Sequence, residues 1–327
     1  MIMYNLFLKY FITFLLIFLT WSSLFFFDIL IIWFILEISN LLFICILNLS
    51  SKDKKMIFFY FIVQIIPSFL MIYSIILNNI FFLTNYPYFI MLLSLMIKLS
   101  IPPFHFWLPI MSKYLSWNNL LLMLTLQKII PFYTLSLFKI NPLLISTALI
   151  LCAIIPPYMM LNINNFKILM SYSSINQSGW MLLLIYLKNI IWFKYFLFYS
   201  FITLTLFIFF YLFKNNFNFT YKLNNLNLMI AIFFMFNLAG LPPFSFFYMK
   251  WYLIFSIIYN SNHIFIMIIM MMSSLFMLYI YTNMMMINFY MFNFKSKLYL
   301  SPPLTLTMKY NLLFINSLIF SMIILII

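Results

Sequence analysis

Lys98-Leu99-Ser100-Ile101-Pro102-Pro103-Phe104-His105-Phe106-Trp107-Leu108-Pro109 decides the fold. The stretch lies inside an apolar block near residues 86–112, longer than one membrane crossing requires. Each proline lacks an N–H and frees the carbonyl four residues earlier, so Pro102 frees that of Lys98. In hydrocarbon, non-helical backbone is tolerated only where protein or water covers it. The block therefore reads as a broken helix facing an internal cavity. Leu241-Pro242-Pro243-Phe244 interrupts a second block, near 227–257, in almost the same words. Pro156-Pro157 and Pro302-Pro303 show that Pro-Pro alone is a weak signal, but only these two blocks combine it with a deep lysine, Lys98 and Lys250.

The rest of the chain has the composition of a lipid-dissolved protein. Of 327 residues, 67% are hydrophobic and 6% charged, and the mean hydropathy is +1.15. A soluble domain carries about 25% charged residues. The whole of 1–327 is expected to form a single integral membrane domain with no soluble domain. Phe, Met, Ile, Asn, Tyr and Lys abound while Gly is nearly absent. Lipid spans normally favour small residues for close packing, so this bias points to an A/T-rich organelle-type genome. The start, with Lys9 and an apolar run to Thr20, lacks a small-residue cleavage site and reads as a first span.

Window length and turn residues give about eleven spans. They lie near 4–22, 26–49, 56–78, 86–112, 118–138, 142–161, 166–187, 192–213, 227–257, 264–292 and 309–327. The fold class is an all-α polytopic membrane helix bundle. The two broken spans are five helices apart, so they run in opposite directions, as in two inverted five-helix repeats. All the cationic side chains are Lys. Lys9, Lys52, Lys54, Lys55, Lys113, Lys167, Lys214, Lys222, Lys295, Lys297 and Lys309 fall on one side, against Lys139, Lys188 and Lys194 on the other. The positive-inside rule then puts the N-terminus on the side of synthesis, the matrix for an organelle-made chain, and the C-terminus opposite. The net charge of +14 is scattered over short loops. It suits anionic lipid headgroups such as cardiolipin better than nucleic acid.

Lys98, Lys128, Lys250 and Glu37 remain deep inside apolar blocks. A charge at the bilayer centre costs about 2.5–3.5 kcal/mol on insertion scales, so such residues normally face a bundle interior or a wet cavity. A proton relay needs groups that change charge at modest cost, which a desolvated lysine does and an arginine does not. His105, inside the first break, is either a relay or a hydrogen-bonded structural group. Span seven carries Ser173, Ser174 and Gln177 within a polar cluster, which serves either helix packing or a water chain. Cys45 and Cys152 sit alone in apolar runs and read as packing residues. There is no metal-ligand spacing, and two histidines cannot ligate the usual pair of haems.

With these motifs in hand, the chain resembles the antiporter-like subunits of NADH–ubiquinone oxidoreductase, respiratory complex I. The resemblance is carried by residues 98–109, Lys128-Ile129-Ile130-Pro131, Ser173 through Met181, and Gly240-Leu241-Pro242-Pro243-Phe244 with Lys250-Trp251. Eleven helices is also the count of the short animal form. The resemblance implies that Glu37 pairs with Lys98, that Lys128 is the central carrier and that Lys250 leads to the exit. It implies no catalytic residue, metal or cofactor in this chain, with NADH, FMN, iron–sulfur clusters and ubiquinone held by partner subunits. The partners would be other membrane-arm subunits and accessory subunits in the mitochondrial inner membrane. The family commonly has His where Gln177 stands and small residues where Ile101-Pro102 stand. The rival readings are a stand-alone cation/proton antiporter, an electron-carrying membrane enzyme and a structural scaffold.

Overall fold

The computed structural model describes residues 2–51, 53–80, 86–138, 141–163, 165–187, 191–212, 233–241, 244–258 and 264–293. The described residues are helical nearly throughout. In order they form α1 (Ile2–Ser22), α2 (Ile29–Ser50), α3 (Lys54–Ile80), α4 (Tyr86–Leu99), α5 (Trp107–Tyr114), α6 (Trp117–Leu124) and α7 (Leu126–Leu137). There follow α8 (Pro142–Met160), α9 (Phe166–Tyr186) and α10 (Ile191–Leu212). The helical residues 233–239 are α11. The last two are α12 (Ser245–Ile258) and α13 (Ile264–Asn293). Seven stretches are long and apolar enough to cross a membrane, among them Ile29–Ser50, Trp117–Leu137 and Ile264–Met284. They match seven of the sequence-derived spans. The final span, near 309–327, lies outside the described residues.

The chain divides into two compact units, Met1–Leu151 and Cys152–Ile327, with the boundary inside α8. In the first, α3 packs on α4, α2 packs on α1 and α3, and α7 lies against α1, α2, α4 and α6. In the second, α9 packs on α10 and α13, and α12 packs on α13. Every residue from Leu169 to Ile185 is buried. That burial explains how α9 carries Ser173, Ser174, Asn176 and Gln177 in a hydrophobic chain: its partners are protein on all sides, so polar groups find acceptors.

Both expected interruptions reveal the same local device. After α4, Ser100 takes a left-handed conformation with φ 57°. Ser100 N–H donates to the Ile97 carbonyl at 3.1 Å and Ile101 N–H to Met96 at 3.0 Å. These are the paired bonds of a Schellman cap. After α11, Gly240 has φ 82°, its N–H donates to Asn237 at 3.0 Å and Leu241 N–H donates to Phe236 at 3.3 Å. Each cap ends in a further turn, Phe104 N–H to Ile101 and Phe244 N–H to Leu241, both at 2.9 Å. The bond between Pro102 and Pro103 is cis. Pro242 and Pro243 lie outside the described residues. Hence each helix is stopped by a cap, with the prolines preventing its resumption. Elsewhere proline does not suffice: Pro67, Pro131, Pro156 and Pro157 all stay within helices.

One interruption has no proline at its turning point. Thr125, between α6 and α7, has φ −113° and ψ −80°. Its hydroxyl donates to the Leu121 carbonyl at 2.7 Å, and Lys128 N–H reaches back to Thr125 at 2.9 Å. The expected span 118–138 is therefore two stacked helices, and Lys128 sits in the first turn after the joint.

A left-handed β-carbon costs about 1–2 kcal/mol outside glycine. Ser100→Gly is expected to raise the thermal midpoint of the assembled protein by the equivalent of about 1 kcal/mol, and the β-branched Ser100→Val to lower it by more. A melting series in detergent checks this; the reverse order would contradict the cap.

Candidate functional site

In the first unit α4 stops at mid-block, so its carbonyl end, with the negative pole of the helix dipole, is buried. Lys98 occupies its last turn, where a cation is favoured. The side chain is 1% exposed, and its Nζ donates to Glu37 Oε1 on α2 at 2.9 Å, the carboxylate keeping 23% exposure. The pair expected from the sequence thus exists, sixty-one residues apart along the chain. The indole of Trp107 donates to the Ile97 carbonyl at 3.0 Å, a second donor on a carbonyl that already accepts from Ser100. His105 is buried in the break, its ring centred 4.1 Å from that of Phe106.

Lys128 is buried as well, at 4% exposure. Its neighbour Gln127 donates Nε2 to the Ser39 carbonyl of α2 at 3.4 Å. Because Ser39 lies two residues past Glu37, α7 passes α2 close to the level of the ion pair. Lys128 is bracketed by the joint at Thr125 and by Pro131, three residues on. Pro131 has no N–H to give to the carbonyl of Gln127. The hydroxyl of Thr125, bonded to the Leu121 carbonyl, helps shape that backbone.

In the second unit Lys250 reaches back from α12 to the end of α11. Its Nζ donates to the Ala239 carbonyl at 3.0 Å. The ammonium stands 5.8 Å from the centre of the Trp180 ring and 5.6 Å from that of Phe246. Two aromatic faces and a helix carbonyl end thus replace the carboxylate that Lys98 has. A β-carbon on Gly240 would lie 3.2 Å from Lys250 Nζ, so a side chain here would be strained by its φ and would push the lysine tip aside. Lys98 and Lys250 enter from opposite sides of their breaks, yet both place an ammonium at the carbonyl end of the first half-helix.

Gln177 Nε2 donates to the Leu238 carbonyl of α11 at 3.3 Å, and its Oε1 accepts from the Tyr195 hydroxyl of α10. Its amide therefore bridges two helices, with no proton to gain or lose. Ser173 and Ser174 turn their hydroxyls onto carbonyls of their own helix, Met170 at 2.8 Å and Ser171 at 2.7 Å. They also meet phenols, Ser174 with Tyr199 and Ser173 with Tyr281. Ser273 donates to Asn176 Oδ1 at 3.4 Å. The packing role read from the sequence is thus present in these contacts. Tyr195, Tyr199 and Tyr281 were missed because a tyrosine in an apolar span gives no sign of which end of which helix it meets. Among the described residues no three His, Cys, Asp or Glu side chains gather as a metal site. His263 lies outside the described residues.

A buried charge left without its partner is worse than no charge. Glu37→Leu strands Lys98 and is expected to cost about 2 kcal/mol, discounted for the partly exposed carboxylate. The double variant Glu37→Leu/Lys98→Leu is expected to recover most of it. A double-mutant cycle on thermal stability checks this; additive losses would mean that the pair does not act as one. Gly240→Ala is expected to cost about 1–2 kcal/mol from its φ alone, with Lys250 displaced.

Comparisons with known proteins identify the family and the fold. The profile of the family described as "NADH:quinone oxidoreductase/Mrp antiporter, TM" matches residues 27–277. The chain is 32% identical over 266 residues to NADH-ubiquinone oxidoreductase chain 2 of Anopheles gambiae, covering 77% of each. It is 32% identical over 271 residues to that of Lemur catta, covering 78% of each. Among solved structures, a chain of respiratory complex I from Thermus thermophilus with bound aureothin superposes with a TM-score of 0.71 at 19% identity, over 90% of this chain and 73% of that one. A chain of an archaeal membrane-bound sulfane sulfur reductase gives 0.74 at 16% identity, over 90% and 68%. The chain therefore belongs to the NADH-ubiquinone oxidoreductase chain 2 family, within the transmembrane family that complex I shares with the Mrp antiporters.

Proposed function

We propose that this chain is a proton-translocating membrane-arm subunit of NADH:ubiquinone oxidoreductase, moving protons from the matrix to the intermembrane space. The observation that carries the reading is the Glu37–Lys98 ion pair, 2.9 Å long, at the buried carbonyl end of a broken helix. Lys128 is the central carrier, loaded through water from the matrix side, and Lys250 leads to the exit. His105 stays a candidate relay. While Glu37 holds Lys98, the carboxylate favours the ammonium form. When Glu37 is drawn toward a neighbouring charge, Lys98 releases its proton more easily. The 23% exposure of the Glu37 side chain supports that motion, because one side of it is not covered by this chain.

The rest follows from the same reading. The chain is a single integral domain of about eleven helices in two inverted repeats, each with one broken helix. The shared cap geometry of 100–104 and 240–244 supports the repeats. Glu37 and Gln177 also lie at the same interval as the two caps. The protein is multi-pass in the mitochondrial inner membrane, with its N-terminus in the matrix and C-terminus in the intermembrane space. Its partners are other complex I membrane subunits and anionic lipids. NADH, FMN, iron–sulfur clusters and ubiquinone belong to partner subunits, so the redox chemistry that drives the pump lies outside this chain.

Membership of a family that includes Mrp antiporters favours one second reading, a stand-alone cation/proton antiporter. Its supply of carboxylates is thin, since the chain has three acidic residues and only Glu37 lies deep. Lys128→Met in the assembled complex is expected to lower the protons moved per NADH oxidised. Coupling measured in sealed vesicles checks this, and an unchanged ratio would remove the central role of Lys128. On a native gel, migration as a single polypeptide would instead support the antiporter.

A further inference from the structure

Several buried donors have no protein acceptor among the described residues, Trp33 Nε1 among them, and two of the others stand three residues after a polar side chain of the proposed relay. They are Asn40 Nδ2 on α2 and Trp180 Nε1 on α9. Asn40 is 6% exposed and Trp180 0%. Each lies three residues, just under one helical turn, after a polar side chain that serves a broken helix. Asn40 follows Glu37, which reaches Lys98 in the last turn of α4. Trp180 follows Gln177, which reaches the Leu238 carbonyl in the last turn of α11. The second cap also follows the first at the interval that separates Gln177 from Glu37. The same polar device therefore occurs twice, with an amide in one copy and an indole in the other.

Native proteins pair more than about nine in ten buried polar groups with protein or ordered water, and an unmade bond costs about 1–3 kcal/mol. Resting on the proton-relay reading above, we propose that Asn40 and Trp180 are positioning residues, each fixing one ordered water beside the polar side chain that precedes it. The spacing suits one molecule. Residues three apart on a helix have β-carbons about 5–6 Å from each other, which is the reach of a single bridging water. The polarity fits too. An N–H binds the water through its oxygen, leaving both O–H groups to donate. Beside Asn40, one O–H meets the Glu37 carboxylate. The other is directed toward α7, which approaches α2 here through Gln127 and Ser39 and carries Lys128. Beside Trp180, the water is offered to the Gln177 amide, while the ring face holds the Lys250 ammonium. At Gln177, which cannot titrate, a held water supplies the exchangeable proton that the side chain lacks.

The test has two arms, both on the assembled complex. In a cryo-EM map that resolves water, density is expected within about 3 Å of Asn40 Nδ2 and of Trp180 Nε1; bare density at either atom overturns the proposal. In sealed vesicles, Asn40→Leu and Trp180→Phe are expected to slow proton transfer about tenfold, the rate equivalent of one lost hydrogen bond. Asn40→Ser, whose hydroxyl still holds water, is expected to restore most of it. Trp180→Phe removes the N–H while keeping an aromatic face near Lys250. Unchanged coupling in both variants, or no rescue by Ser, overturns the relay role. Should Asn40→Leu fail to assemble, the density of the unaltered complex and the Trp180→Phe arm decide. Failure of the pump reading itself is separate: it is read from Lys128→Met, whatever the maps show.

Discussion

A backbone carbonyl in hydrocarbon has no water to accept from, and every unusual feature of this chain answers that constraint. Stopping a helix in mid-bilayer frees several carbonyls at once. Two of them are closed at each stop by the main chain, through a left-handed residue and the paired back-bonds it permits. At the second stop others are closed by the side chains of Gln177 and Lys250, while at the first the Trp107 indole adds a second donor to the Ile97 carbonyl. Without these closures neither break would survive in lipid, and no ammonium would have a buried negative pole to sit against.

That pole changes the energetics of the lysines. An isolated ammonium at this depth is expensive. Beside the carbonyl end of a helix, with a carboxylate or two ring faces nearby, much of the cost is offset. The offset differs between the two sites. Lys98 faces an ionisable partner, the Glu37 carboxylate, whereas Lys250 is held by a carbonyl and two rings that cannot change charge.

Most of the architecture was legible in the primary structure, because lipid imposes a strict length rule and a strict penalty on charge. Seven crossings and both breaks could be read from apolar runs and Pro-Pro pairs, whereas the partnership of Glu37 with Lys98 came only through the family resemblance. The joint at Thr125 could not, since threonine is common in helices and only packing shows where the helix steps. Pro131 gave a partial hint, being a proline that does not end its helix. The partners of Gln177 were hidden for a similar reason. A bridge between the Tyr195 hydroxyl and the Leu238 carbonyl is a fact of three helices, and no local pattern encodes it. Asn40 and Trp180 show themselves only when the buried donors are paired off and both are among those left over.

The chain retains two glycines, Gly179 and Gly240. At Gly179 a methyl group would come within 2.9 Å of the Cys152 β-carbon, and at Gly240 it would press on Lys250. In a chain this poor in glycine, both therefore stand at crowded places: one against a fixed β-carbon, the other against the movable tip of a lysine. An alanine at the first has to shift a helix, whereas at the second it has to shift an ammonium.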